Sequence, residues 1–157
     1  MHYIPLSQYR YAWFYSHREM PLSEEQLSKV LPMTETRALT LWQQNISKES
    51  DDPLEPAKQD WVGKAATWAE EGEWQSAWDS SAPELPELIR DTLQWEDSTV
   101  VDFCYRADHV VETRWSLFKA HWKNFLFLDD GPLLIGKKRK ETVQFFQDGS
   151  FKVGKRP

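Results

Sequence analysis

Aromatic residues constrain the fold of this chain more than any other feature of its sequence. Nine Trp, eight Phe and five Tyr stand among 157 residues. A buried aromatic ring removes roughly 150–250 Å² from water, so these rings can supply most of a hydrophobic core. A chain of this length also buries enough surface to fold without disulfides or metals. We therefore expect residues 1–157 to form a single domain with a core built from rings more than from aliphatic side chains.

Helix signals dominate the first two-thirds of the chain. Ser23 is a good N-cap, and Gln26 stands at the third helical position, which completes a capping box. Apolar residues recur at helical spacing after Thr34, after Asp60, and again over residues 74–78 and 85–93. The apolar faces after the two caps contain Ala38, Leu41, Trp42 and Ile46, and then Trp61, Ala65 and Trp68.

The pattern changes after Trp95. Residues 99–105 are rich in β-branched and aromatic side chains, which predicts a strand. Asp108 then begins the clearest helical stripe of the chain, with apolar residues at spacings of three and four. This stripe contains Val111, Trp115, Phe118, Trp122 and Phe125.

Turn signals divide the last part of the chain into short strands. Asp148-Gly149 is a strong signal for a two-residue hairpin and stands between apolar runs at 143–147 and 151–153. Another apolar run covers residues 133–135. The sequence therefore predicts an α+β fold with a helical first two-thirds, then a strand and a helix, and a small antiparallel β-meander at the C-terminus.

No catalytic, cofactor or metal motif stands out in the sequence. Cys104 is the only cysteine, and a thiol in an apolar strand is typically unreactive. His109 and His121 would stand about 120° apart around one helix, too far apart to share a metal ion. There is no nucleophile elbow and no phosphate-binding glycine loop. These patterns favour a protein without enzymatic activity, cofactor or metal.

Two surface features are candidates for an interaction surface, and the first is the Asp129-Asp130-Gly131 turn. Aspartate before glycine is ordinary turn chemistry. The two aspartates nevertheless follow an apolar run, and a cleft beside them would supply paired carboxylates. A small-molecule-binding protein or enzyme with a cleft near Asp129 and Asp130 is therefore one alternative function.

The second candidate is the only dense basic run of the chain. Such a run can contact phosphates, although lysines also protect the edges of sheets from aggregation. One short run does not make a basic face, so the sequence disfavours nucleic acid as a partner. Weak nucleic-acid binding through this predicted hairpin is the other alternative. The run consists of Lys137, Lys138, Arg139 and Lys140.

Charge is divided unequally along the chain, whose net charge is −6. Residues 47–102 contain 15 acidic and four basic residues, a net charge of −11, whereas residues 123–157 contain eight basic and four acidic residues, a net charge of +4. A charge-divided surface suits a protein partner. We therefore expect a non-enzymatic binding or adaptor protein that recognises another macromolecule.

The sequence predicts neither secretion nor membrane insertion. A single cysteine cannot form an intramolecular disulfide. The first residues lack the apolar region of a signal peptide, and no apolar run is long enough to span a bilayer. We therefore expect a cytoplasmic protein.

One stretch carries a resemblance to a known family. Residues 122–136, together with the opening Tyr3-Ile4-Pro5-Leu6 and the Asp148-Gly149 hairpin, resemble a small family of bacterial proteins of unknown function. The resemblance covers nearly the whole chain. It implies a bacterial, cytoplasmic protein, and it implies no activity, cofactor or catalytic residue.

Overall fold

Seven strands form one antiparallel sheet in the computed structural model, which describes residues 2–157. The strands are β1 (Leu31–Pro32), β2 (Trp68–Glu73), β3 (Val100–Arg106), β4 (His109–Arg114), β5 (Leu133–Gly136), β6 (Glu141–Phe145) and β7 (Ser150–Lys155). Their order across the sheet is β1-β4-β3-β5-β6-β7-β2. The first two strands of the sequence therefore lie at opposite edges.

Short helices cover the sheet. Ser23 caps the first helix as predicted, because its side chain accepts from the Gln26 N–H while the Gln26 side chain accepts from the Ser23 N–H. Thr34 caps the second. Across residues 2–157, no helix combines the length and the apolar character that a membrane crossing requires. The helices are α1 (Glu24–Leu27), α2 (Glu35–Asn45), α3 (Gln75–Asp79), α4 (Glu87–Thr92) and α5 (Trp115–Phe125).

The prediction of an α+β fold with a helical first two-thirds is wrong, because the sheet organises the chain and takes β1, β2 and part of β3 from that region. The segment after Asp60 forms two short 3-10 turns, Trp61–Gly63 and Ala65–Thr67, and then β2. β2 pairs with β7, far along the chain. This distant pairing overrides the local helical spacing.

The helix predicted from Asp108 begins only at Trp115. The residues before it form β4, which pairs with β3 in a hairpin. Val110 packs into the core on one face of the sheet and Val111 into the core on the other. A strand that is buried on both faces lacks polar alternation, so periodicity cannot distinguish it from a helix.

The strands predicted near the C-terminus are confirmed as β5, β6 and β7, and the strand predicted at 99–105 is confirmed as β3. A hairpin joins β6 to β7 at the predicted position, and Gly149 has a positive φ of 92°. Residues 146–149 lie between the two strands, so the prediction of a two-residue connection is wrong. These strands extend one large sheet and do not form a separate meander.

The sheet separates two hydrophobic cores. The larger core lies on the α5 face and contains Phe103, Trp115 and Phe118. The smaller lies on the α2 face and contains Trp42 and Cys104. The prediction that most rings build the core is confirmed for Trp. The buried tryptophans are Trp42, Trp61, Trp74, Trp95, Trp115 and Trp122.

Candidate functional site

The Asp129-Asp130-Gly131 turn packs closely against its surroundings. Gly131 has a φ of 80°, and a Cβ there would lie 2.4 Å from Leu54 Cδ2, so this turn requires glycine. The Gln144 side-chain amide donates to the Gly131 carbonyl at 3.0 Å. Partial burial raises the pKa of Asp129, and the charge of Asp130 adds to the increase. Neither aspartate lines any of five cavities found among residues 2–157, so a cleft here stays a prediction.

The basic run forms the connection between β5 and β6. Lys138 adopts a left-handed backbone with a φ of 60°, and the Arg139 N–H donates to the Gly136 carbonyl at 3.0 Å, which closes the turn. Lys137 and Lys138 line a cavity on the α2 face of the sheet, whereas Arg139 and Lys140 do not. The structure therefore divides the run, and weak nucleic-acid binding through all four residues stays a prediction.

A cavity of about 390 Å³ lies between α2 and the sheet, and we call it the Asp102 cavity. Its walls come from α2, β3, β4, β5, the β5–β6 connection and the residue that follows β7. Leu41 and Ile135 supply apolar surface. The charged side chains that line it are Arg37, Asp102, Glu112, Lys137, Lys138 and Arg156.

Regular secondary structure brings these residues together. Arg37, Leu41 and Gln44 stand at i, i+4 and i+7 of α2 and therefore share one helix face. Asp102 on β3 lies directly opposite Glu112 on β4, so both carboxylates project from the same face of the sheet. Like charges at directly opposite positions destabilise a sheet. The arrangement is therefore unfavourable for folding alone.

Asp102 has the most perturbed environment in the cavity. It is 6% exposed, and its Oδ1 has no hydrogen-bond partner within the protein. Burial raises the pKa of Asp102 to about 7, and the charge of Glu112 adds to this increase. Arg37, Lys137 and Arg156 lower the pKa, but by less. Among residues 2–157, Asp102 forms no salt bridge, so these cations surround the carboxyl group without pairing with it.

Two guanidinium groups of the cavity also retain free donors. Arg156 donates to Asn45 Oδ1 at 3.1 Å and to the Gly136 carbonyl at 2.9 Å. Its Nε is buried without a partner, and so is the Nε of Arg37. Three of the four buried, unpaired side-chain polar atoms of residues 2–157 therefore belong to residues that line this one cavity, Asp102 Oδ1 being the third. Buried polar atoms are nearly always paired, so this grouping is unusual.

His109, by contrast, is a structural residue despite its perturbed pKa. Burial lowers the pKa of His109 to about 4. Its ring lies between those of Tyr11 and Tyr105, at centroid distances of 4.9 and 4.4 Å. The Tyr9 hydroxyl forms a hydrogen bond with its Nε2. Because the ring is stacked on both sides and its nitrogen is paired, packing accounts for the position of His109.

The lining of the Asp102 cavity is suited to an oxyanion. Four cations and two carboxylates give a net charge of +2 when both carboxylates are ionised. Guanidinium groups bind carboxylate and phosphate through parallel N–H bonds. A protonated Asp102 can also donate a hydrogen bond to an oxygen. Within residues 2–157, no group of three or more His, Cys, Asp or Glu side chains could hold a metal ion.

Sequence reasoning identifies Lys137 and Lys138 but misses most of the cavity. One signal is present, because Asp102 interrupts an apolar strand, and a charge in such a strand is costly to bury. Arg37 and Arg156 give no signal, since each resembles an ordinary surface residue and they stand far apart in the chain. Only the antiparallel pairing of the strands and the position of α2 bring them to Asp102.

Comparison with known proteins gives a family. The model of a family described as a protein of unknown function (DUF2947) matches residues 3–154. No curated protein and no solved structure matches. The resemblance to a family of unknown function over nearly the whole chain is confirmed.

Proposed function

We propose that this chain, which belongs to the DUF2947 family of proteins of unknown function, binds a small phosphate- or carboxylate-bearing ligand in the Asp102 cavity. One observation carries the proposal. Asp102 Oδ1, Arg37 Nε and Arg156 Nε are buried and have no partner within the protein, and all three residues line the same cavity. An oxyanion supplies acceptors for both arginines and for a protonated carboxyl group.

The charge around the cavity supports an anionic ligand. Hydrogen bonds to charged groups contribute about 1.5–3 kcal/mol each, and Asp102 does not occupy the arginines with a salt bridge. Lys137 and Lys138 are exposed at the rim. Exposed cations at a rim attract an anion before it enters.

Asp102 would make binding depend on pH. The protonated carboxyl group donates to a ligand oxygen, whereas the ionised group repels an anion. Because the pKa of Asp102 is about 7, we expect anion affinity to fall as the pH rises through neutrality. A simple cluster of lysines and arginines would show no such fall.

Calorimetric titration with sodium phosphate and with sodium sulfate tests the proposal, at pH 6.5 and constant ionic strength. We expect saturable binding of one anion per chain, with a Kd on the order of 1 mM or tighter. Arg156→Gln should abolish it. Arg18→Gln, which removes an exposed arginine that does not line the cavity, should not. Absence of saturable binding, or equal binding by the two variants, would contradict the proposal.

Recognition of a macromolecular partner, the role that the divided charge favours, is a second proposal. The observation in its favour is Trp13, which is 54% exposed and lies 5.6 Å from the Phe127 ring. Exposed tryptophans are enriched at the centres of protein interfaces. Native mass spectrometry can identify such a partner. Loss of the partner from a folded Trp13→Ala variant would support this role. If the variant retains the partner, Trp13 does not take part in binding it.

A further inference from the structure

We infer that the ligand is a phosphorylated sugar or polyol, whose phosphate occupies the Asp102 cavity and whose hydroxyl groups extend into a second cavity beside it. This inference rests on the proposed function, and it adds the chemical class of the ligand. It is drawn from the residues that line the second cavity and from those that the two cavities share.

The second cavity has a volume of about 370 Å³, and we call it the amide cavity. Gln44, Asn45 and Arg156 line both cavities. The two volumes therefore adjoin at the C-terminal end of α2. Small-molecule sites typically have volumes of about 300–1,000 Å³, so the pair has room for a phosphate group and a sugar body.

Four carboxamide groups line the amide cavity, together with Ser47 and the charged residues Lys48, Asp60, Lys64 and Arg156. Asn45 is already engaged, because its Nδ2 donates to the Leu41 carbonyl at 2.9 Å and its Oδ1 accepts from Arg156 at 3.1 Å. Gln43, Gln44 and Gln59 form no side-chain hydrogen bond within residues 2–157 and are exposed to the cavity. A carboxamide both donates and accepts without carrying charge. It therefore matches hydroxyl groups, which have the same dual capacity.

Arg156 stands at the junction of the two cavities. Asn45 and the Gly136 carbonyl fix its guanidinium group, and its Nε is buried without a partner. A phosphate between Arg156 and Asp102 would place its ester oxygen toward the amide side. The uncharged, hydroxyl-bearing part of the ligand would then lie against the three glutamines.

The remaining lining of the amide cavity disfavours a nucleotide. Trp61 is its only aromatic side chain among the described residues, but it is 9% exposed and its Nε1 is committed to the Asn45 carbonyl. Base recognition usually needs an exposed aromatic face for stacking. Lys48 and Lys64 also line this cavity, so a second phosphate is compatible with the inferred class.

Titration calorimetry with a panel of ligands tests the inference. The panel contains inorganic phosphate, glucose 6-phosphate, ribose 5-phosphate, sorbitol 6-phosphate, glucose and adenosine monophosphate. At least one of the three phosphorylated sugars or polyols should bind at least about tenfold more tightly than phosphate, which corresponds to about 1.4 kcal/mol. Glucose should not bind measurably, because it lacks the anion.

Two exposed glutamines allow a matched set of variants. Gln43→Leu and Gln59→Leu should each reduce the tenfold advantage of the phosphorylated ligand and leave phosphate affinity unchanged, because these two glutamines line only the amide cavity. Gln147→Leu, in the hairpin at the opposite end of β6, should change neither. Because these side chains are exposed, the variants should fold normally, and far-ultraviolet circular dichroism checks this.

The possible outcomes separate the inference from the proposed function. Binding of phosphate with no gain for any phosphorylated sugar or polyol would overturn the inference and leave the proposed function standing. The inference would also be overturned if adenosine monophosphate bound more tightly than glucose 6-phosphate, ribose 5-phosphate and sorbitol 6-phosphate. If neither phosphate nor any phosphorylated ligand binds, the proposed function fails as well.

Discussion

Asp102 is a residue that lowers the stability of the fold it belongs to. Its pKa is about 7 in the folded protein and 3.8 for an ordinary aspartate. The fold therefore favours the protonated form. As the pH rises from 4 to 7, the carboxyl group of Asp102 loses its proton in the unfolded chain before it does so in the folded protein. The free energy of unfolding therefore falls over this range and stays low above it. The total loss is about 4 kcal/mol.

An Asp102→Asn variant should reverse this loss. We expect its free energy of unfolding to exceed that of the wild type by up to about 4 kcal/mol at pH 8, and by much less at pH 4.5, where the carboxyl group is protonated in the folded protein. Urea unfolding at the two pH values measures the difference. Asp91→Asn, at an exposed position of α4, should show almost no change. A variant that is less stable than the wild type at pH 8 would contradict the expectation.

Residues that reduce stability typically serve function, because a sequence selected for folding alone would replace them. Asp102 and Glu112 form such a destabilising pair, because the two carboxylates lie directly opposite each other on β3 and β4. His109 is not such a residue, since its stacking and its hydrogen bond account for its position. This contrast is the residue-level reason for placing the site at Asp102.

At the scale of single elements, β2 depends on one glycine. The strand has few residues that favour β-structure, and Gly72 lies opposite Phe151 of β7. A Cβ at position 72 would lie 2.4 Å from the Phe151 ring. The phenylalanine ring therefore packs over the glycine, and this contact attaches an otherwise weak strand to the edge of the sheet.

Gly72→Val should destabilise the protein by about 1–3 kcal/mol, because the added side chain displaces the Phe151 ring from the core. Thermal unfolding would measure this loss. Ala69→Val tests the alternative that any β-branched residue harms β2. Residue 69 is exposed, so valine there should be tolerated. Equal losses in both variants would show that steric overlap with Phe151 is not the cause.

The elements that the sequence predicts correctly are those encoded by neighbouring residues. Ser23 and Gln26 determine the start of α1, and Asp148-Gly149 marks the position of the hairpin between β6 and β7, although not its length. β2 and β4 are missed for physical reasons. β2 is stabilised by a partner far along the chain. β4 places Val110 and Val111 in the cores on opposite faces of the sheet, so its apolar residues do not alternate with polar ones and their spacing also fits a helix.

Only those parts of the candidate site that neighbouring residues encode can be predicted from the sequence. Lys137 and Lys138 are visible because basic residues cluster there in sequence. Asp102 could be noticed as a charge within an apolar strand. Its relation to Arg37 and Arg156 depends on the order of the strands and on which face α2 covers, and no local pattern encodes either.

At the scale of the whole molecule, one sheet carries two cores. Trp42 and Trp61 lie on the α2 face, and Trp115 and Trp122 lie on the α5 face. The inner strands β3, β4 and β5 contribute side chains to both cores. We therefore expect the two cores to unfold together, as the prediction of a single domain requires.

Fluorine NMR of protein labelled with 5-fluorotryptophan tests this cooperativity. The chain has nine Trp, and the resonances from both faces should disappear at one urea midpoint. Single Trp→Phe variants would assign the resonances. Separate midpoints for the two faces would show that the cores unfold independently, and the single-domain prediction would then be wrong.

The position of the Asp102 cavity has a kinetic consequence. Its floor is β3, an inner strand held on both sides by β4 and β5, and its roof is a helix packed on the same sheet. Such a receptor is rigid before the ligand arrives, so little conformational entropy is lost on binding. We expect association to be fast, to slow as salt screens the lysines at the rim, and to lack the delay that a closing loop would impose.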